Sequence, residues 1–194
     1  MIDLIDIISI GIVVLTSISL IWTDKWRINV AAIALQYLVV FWFVSQSWPI
    51  GLASIKLIAG WVAGAVLGDA VSGLGQQMTV NRVISARIFR ALAAIFIILL
   101  AFSAAPGAGA WIPASTPAVI TSLILIGMGI LQLGMTTNSM RVIVGLLTVL
   151  SGFEILYAAV VSSVLVAGLL ALVTLSLSLT GAYWLSLTPQ EEHP

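Results

Sequence analysis

Cysteine is missing from all 194 residues. Its absence excludes from this chain a cysteine-bound iron–sulfur cluster, a disulfide framework and a thiolate zinc site. Histidine is nearly as scarce. The one present, His193, stands in the polar tail 188–194, so a haem held between helical histidines is excluded as well. No metal site, cofactor or catalytic residue is expected here, and no nucleic-acid partner. Any redox centre would belong to other subunits. Charge is the third scarcity: Asp, Glu, Lys and Arg make up 7% of the chain. The opening MIDLIDIISIG has Asp3 and Asp6 where a signal peptide carries positive charge, so the first helix is expected to be retained.

What fills the chain instead is apolar: 61% of residues are hydrophobic. Such a composition predicts a polytopic membrane protein. Backbone polar groups in lipid must be satisfied within the segment, which leaves helices or a closed barrel. Barrel strands alternate apolar and polar residues over about ten positions. The runs here are continuous and longer, so the predicted fold is an all-α membrane bundle. Seven spans are read: Leu4–Trp22, Ile28–Ser47, Ile50–Val71, Arg87–Ala105, Ser115–Thr136, Met140–Val160 and Ser163–Leu187. The last two have almost no polar break between them. One helix over 140–187 would run about 72 Å, more than twice a membrane, so a reversal is placed near Ser162–Ser163.

Charge then sets the orientation. Lys25, Arg27, Arg82, Arg87, Arg90 and Arg141 are six of the seven basic residues, and seven spans put all six at one end. The positive-inside rule makes that end cytoplasmic, with the N-terminus outside and the tail inside. The expected location is the inner (cytoplasmic) membrane. Tryptophan favours the membrane interface. Trp22, Trp26 and Trp184 fall toward the cytoplasmic end, and Trp42, Trp48 and Trp111 toward the outer one. Trp61 alone falls mid-span, where packing is its expected role. The loops Gly73–Arg82 and Pro106–Pro117 are turn-rich. The first contains GLG, but it lacks the GKS or GKT and the preceding strand of a phosphate-binding loop.

The third span is the most informative stretch. It holds Lys56, followed by Gly60, Gly64 and Gly68 at four-residue steps. Steps of four stay near one helix face, and glycines there let another helix come close. A cation in lipid costs roughly 3 kcal/mol, so it is expected to turn toward other helices or a cavity. The sixth span holds the second membrane charge, Glu154. At about 1.5 Å per residue, both charges lie about 9 Å from the outer ends of their helices. Ser151 and Tyr157 flank Glu154 at three residues either side, with Thr148 two turns back, while Gln132 and Gln36 add amides at membrane depth. Polar groups spaced in this way can hold a water file along which a carboxylate and a lysine pass protons. Three roles remain open at this point. The two charges can pair with each other or with another subunit to fix packing. Lys56 can snorkel to the interface. Or Glu154, Lys56, Gln132, Ser151 and Tyr157 can line a proton or ion path.

Residues 137–160, TNSMRVIVGLLTVLSGFEILYAAV, resemble the second helix of the small K-type subunit of respiratory complex I and its counterpart in multisubunit sodium/proton antiporters. The shared features are an opening with Asn138 and Arg141, then Gly145, then the carboxylate of Glu154. The length is closer to component E of hydrogenase-4-type complexes, which look like a K-like unit with extra helices before it. LTSISLIWTDKWRINVAAIALQ and the lysine of ASIKLIAG are also similar to that family. Two departures stand out. The family carboxylate tends to come a turn or more earlier, near Leu150, and the next helix often bears a second acid where this one has only Thr174, Ser176, Ser178 and Thr180.

The resemblance implies four N-terminal helices over 1–110, a three-helix K-like unit over 111–187 and a polar tail over 188–194. It implies a membrane subunit of an ion-translocating hetero-oligomer, contributing to a proton or sodium path beside other membrane subunits. The alternative is an accessory subunit that packs against a larger respiratory or photosynthetic complex. No nucleophile–base constellation or metal-ligand spacing points to an enzyme.

Overall fold

The computed structural model describes residues 3–23, 25–72, 84–136 and 138–187, with backbone alone at 84–87. The described residues form seven α-helices: α1 Leu4–Trp22, α2 Trp26–Ser45, α3 Ile50–Ser72, α4 Ile84–Gly109, α5 Thr116–Gly134, α6 Ser139–Val160 and α7 Val164–Ser186. Each is long and apolar enough to cross a bilayer. The expected all-α membrane bundle is the fold observed, and the break before α7 falls at 161–163.

Helix ends follow local chemistry. Ser115 caps α5 by accepting from Ala118 N, with Pro117 in the first turn. Asn138 caps α6 in the same way, accepting from Arg141 N. The fourth span runs further than its sequence suggests, through Pro106 to Gly109. A proline removes one helical bond without ending a helix whose surroundings favour it. The second helix begins at Trp26, where the Asn29 N–H already bonds the Lys25 carbonyl.

The helices are arranged as two four-membered rings that share an edge. The first ring is α1, α2, α6 and α5, and the second is α2, α3, α7 and α6. Helices α2 and α6 belong to both, while α4 lies outside, against α5 and more lightly α1. The α5–α6 edge is held by small residues. A Cβ on Gly129 would meet the Gly145 carbonyl at 2.8 Å, and one on Gly152 would meet the Ser122 carbonyl at 2.8 Å. At that closeness the Ser122 hydroxyl donates to the Gly152 carbonyl at 2.8 Å. The outward faces stay apolar. On α4, Phe89, Leu92, Phe96 and Leu99 are all exposed, as suits a face turned to lipid.

Several residues are placed otherwise than their sequence suggests. Gly60, Gly64 and Gly68 do admit a helix, but it is α2 of the same chain. Trp48, expected at the interface, is buried and donates from Nε1 to the Val161 carbonyl at 3.0 Å. Arg141, read as a cytoplasmic-end charge opening the sixth helix, is buried and donates to the carbonyls of Leu20, Ile21 and Thr23 at 3.0–3.3 Å. It thus satisfies the open C-terminal carbonyls of α1 with a cation, where the helix dipole favours one. Arg90 reaches the Met135 carbonyl beyond α5 in a similar way. Trp61 is half-exposed and donates to the Ala34 carbonyl. The loop 73–82 with Arg82, the side chain of Arg87, and the tail with His193 lie outside the described residues.

Candidate functional site: a buried ion pair inside a four-helix ring

The second ring places one polar side chain from each of its helices toward a common centre. These are Tyr37 of α2, Lys56 of α3, Glu154 of α6 and Thr174 of α7, each buried. Lys56 Nζ lies 2.7 Å from Glu154 Oε1, with both side chains 1% exposed. The bond crosses the diagonal of the ring, because α3 and α6 do not form one of its packed edges. Thr174 Oγ1 approaches the same Oε1 at 3.5 Å but gives its shorter bond, 2.9 Å, to the Leu170 carbonyl. The Tyr37 hydroxyl lies within electrostatic reach of Glu154 and beside Thr174. Glu154 Oε2 makes no hydrogen bond to another described residue.

Gly60 makes room for this arrangement. A Cβ there would fall within the Tyr37 ring, at 2.1–2.5 Å from three ring carbons. The aromatic ring therefore lies directly on the α3 backbone, one helical turn past Lys56. Gly64 and Gly68 are less constrained, since added Cβ atoms would sit 3.4–3.8 Å from Val30 and Trp26.

Apolar clusters lie to either side of the pair along its helices. Toward one end, Trp48, Ala53, Ile155, Ala158 and Ala167 belong to one apolar cluster. Toward the other, Ile33, Ala63, Leu67, Ile143, Val144 and Leu147 belong to a second. Polar continuity runs sideways instead. Gln36, next to Tyr37 on α2, donates to Ser17 Oγ at 3.2 Å and accepts from Thr148 Oγ1 at 3.3 Å. Ser151 donates to the Thr148 carbonyl one turn before Glu154. A buried polar seam thus joins α1, α2 and α6 next to the ion pair.

The residues expected to act together are only partly brought together. Lys56 and Glu154 meet, so Lys56 does not snorkel. Ser151 is buried on the Glu154 side of α6. Tyr157 is half-buried, packs beside Phe153 with ring centroids 5.9 Å apart, and makes no hydrogen bond to the pair. Gln132 lies two residues from the far end of α5 and donates to the Arg141 carbonyl at 3.0 Å. That puts it near the opposite end of α6 from Glu154. A second buried carboxylate, Asp6, accepts from Trp42 Nε1 at 3.3 Å near the start of α1.

Sequence reasoning passed over Tyr37 altogether and named Thr174 only as a residue without charge. Tyr37 immediately follows Gln36, and its ring fills the groove of Gly60. A buried tyrosine beside a polar residue, facing a glycine on the next helix, was the signal available. Among the described residues no group of three or more His, Asp or Glu converges as a metal site. Chemically, the centre can hold a charge or a proton on Glu154 or Lys56; it offers no activated nucleophile. Compared with known proteins, the chain matches no family model, no curated protein and no solved structure.

Proposed function

We propose that this chain is a membrane subunit of an ion-translocating complex, of the complex I-related, hydrogenase-like or antiporter-like kind. In it, Lys56 and Glu154 form a charge site on a proton or sodium path. One observation carries the reading: a lysine–carboxylate pair buried in helices long and apolar enough to span a membrane. Ionisable residues held at membrane depth are costly and commonly mark ion or proton pathways. The resemblance of residues 137–160 to K-type subunits supports the same reading, with Glu154 as the membrane carboxylate.

The exposed cations Lys25, just before α2, and Arg27, in its first turn, support that end as the cytoplasmic one. Arg90 and Arg141 carry less weight, since both are engaged with helix-end carbonyls. The N-terminus would then face outward from the cytoplasmic membrane.

A second reading, an accessory subunit, draws on α4. It stands outside both rings with a broad apolar face, which suits either lipid or a helix of a larger complex. Gentle extraction from native membranes followed by native mass spectrometry tests the choice. Co-extraction with large antiporter-like membrane subunits is the expected result. Recovery with a photosynthetic or cytochrome complex would favour the accessory reading, and a lone monomer would overturn both.

A further inference from the structure

We infer that Asp6 is a second proton-exchanging site, at the end of the bundle opposite Lys25 and Arg27, and that it opens to the aqueous phase on that side. Its part in transport rests on the ion-path reading; its access to water does not.

Asp6 stands in the first turn of α1 and is 7% exposed. Its Oδ1 accepts from Trp42 Nε1 at 3.3 Å, so a neutral indole holds the carboxyl against α2. Among the described residues the one ion pair is Lys56–Glu154. The other described cations, Lys25, Arg27, Arg90 and Arg141, stand toward the opposite helix ends. Helices α2, α4 and α5, which pack against α1, bring no described titratable side chain to the Asp6 end. Asp3, just before α1, is exposed and of like charge. Asp6 is thus a buried carboxyl without a countercharge among the described residues. Ionisable groups kept inside spans are costly and commonly mark ion or proton routes. Uptake of a proton is the smallest change that removes such a charge, and release to water restores it.

The rest of α1 is built round the same face. Leu4, Ile8 and Leu15 are exposed on its lipid side. Its buried side continues from Asp6 through Ser9, Thr16 and Ser17, with Val13 the one apolar residue among them. Steps of three and four keep these residues near one face, and helical rise puts Ser17 about 17 Å from Asp6. Ser17 Oγ accepts from Gln36, whose amide oxygen accepts from Thr148. The stripe that starts at Asp6 therefore ends in the polar seam next to the ion pair. Trp42 is the positioning residue that keeps the Asp6 carboxyl on this face.

A chain without cysteine suits a labelling test. Membrane vesicles of known sidedness, with the full chain and the subunits that accompany it, would carry Asp6→Cys, Ser9→Cys or Leu15→Cys. Each is treated with a small membrane-impermeant methanethiosulfonate, and labelling is read from the mass of the chain. Thiols react as thiolates, which need water, so Asp6→Cys should label about tenfold faster than the lipid-facing Leu15→Cys. Labelling should come only from the side opposite Lys25, with Ser9→Cys intermediate. Equal rates at positions 6 and 15, or labelling from the Lys25 side, would overturn the inference.

Transport separates the two readings. Asp6→Asn keeps the shape and an oxygen for Trp42 but cannot exchange a proton. Proton movement should fall severalfold in Asp6→Asn at an unchanged melting temperature, and recover in Asp6→Glu. Full movement in Asp6→Asn, or a loss that follows a lowered melting temperature and is not recovered by Asp6→Glu, would overturn the inference. Movement lost in Glu154→Gln but kept in Asp6→Asn would sink the Asp6 site alone. Movement lost in Asp6→Asn but kept in Glu154→Gln would retain Asp6 and sink the role of the Lys56–Glu154 pair.

Discussion

Lys56 and Glu154 meet 2.7 Å apart across the diagonal of a four-helix ring. Their contact is the polar link between the third and sixth helices, and each is enclosed by apolar neighbours from the adjoining helices. Removing one partner leaves the other charge buried and alone. Lys56→Met and Glu154→Gln should each destabilise the bundle by about 3–5 kcal/mol, whereas the double variant should recover much of that loss. Thermal unfolding of the four proteins in one detergent checks this. Additive losses in the double variant would contradict a direct pair.

The glycine face of α3 makes a graded prediction. Gly60→Ala drives a methyl into the Tyr37 ring, and overpacking of this kind costs about 1–3 kcal/mol or more. Gly64→Ala meets only Val30, at 3.8 Å, and should be close to neutral. Melting temperatures of the two variants should differ clearly, with Gly60→Ala the lower. Equal losses would mean that the face packs against something other than α2.

Arg141 should matter for α1 although it lies on α6. Arg141→Met leaves the carbonyls of Leu20, Ile21 and Thr23 without their shared donor. Charge-assisted bonds are worth about 1.5–3 kcal/mol each at most, so a loss of about 2 kcal/mol or more is expected. Amide hydrogen exchange should rise in the last turn of α1, around Ser19–Trp22. Arg141→Lys should rescue only part of it, because a lysine lacks the forked geometry.

On the α5–α6 edge, added methyls would meet backbone atoms as well as side chains. Gly152→Ala sets a methyl 2.8 Å from the Ser122 carbonyl and should part the two helices there. A melting temperature reduced by more than in Ser122→Ala, which removes only the bond to the Gly152 carbonyl, is the expected outcome.

Hydropathy alone made the seven helices legible, because a bilayer tolerates little else in runs of this length. The reversal before α7 was legible by length, with Ser162 and Ser163 the polar residues nearest it. Helical rise was enough to put Lys56 and Glu154 at matching depth, and depth is a condition for their meeting. Depth does not give azimuth, however. Tyr157 sits three residues from Glu154 yet turns toward Phe153, while Thr174 on the next helix turns inward. Gln132 has the amide expected of a path residue but spends it on the Arg141 carbonyl. Arg141 was legible as the opening of the sixth helix, but nothing in its neighbourhood marks which distant helix end it satisfies. Which polar side chains share a centre depends on the ring arrangement of helices, and local periodicity does not encode that.

The most direct measurement is ion movement with Glu154→Gln. Membrane vesicles containing the native complex would be energised through their own electron donor, and proton or sodium movement followed by a pH- or sodium-sensitive dye. Native mass spectrometry of the same vesicles would establish that the complex remains assembled. The account predicts that ion movement in Glu154→Gln falls at least tenfold while assembly is retained. Ion movement at the unmodified rate in an intact complex would contradict it and leave the Lys56–Glu154 pair as a packing device.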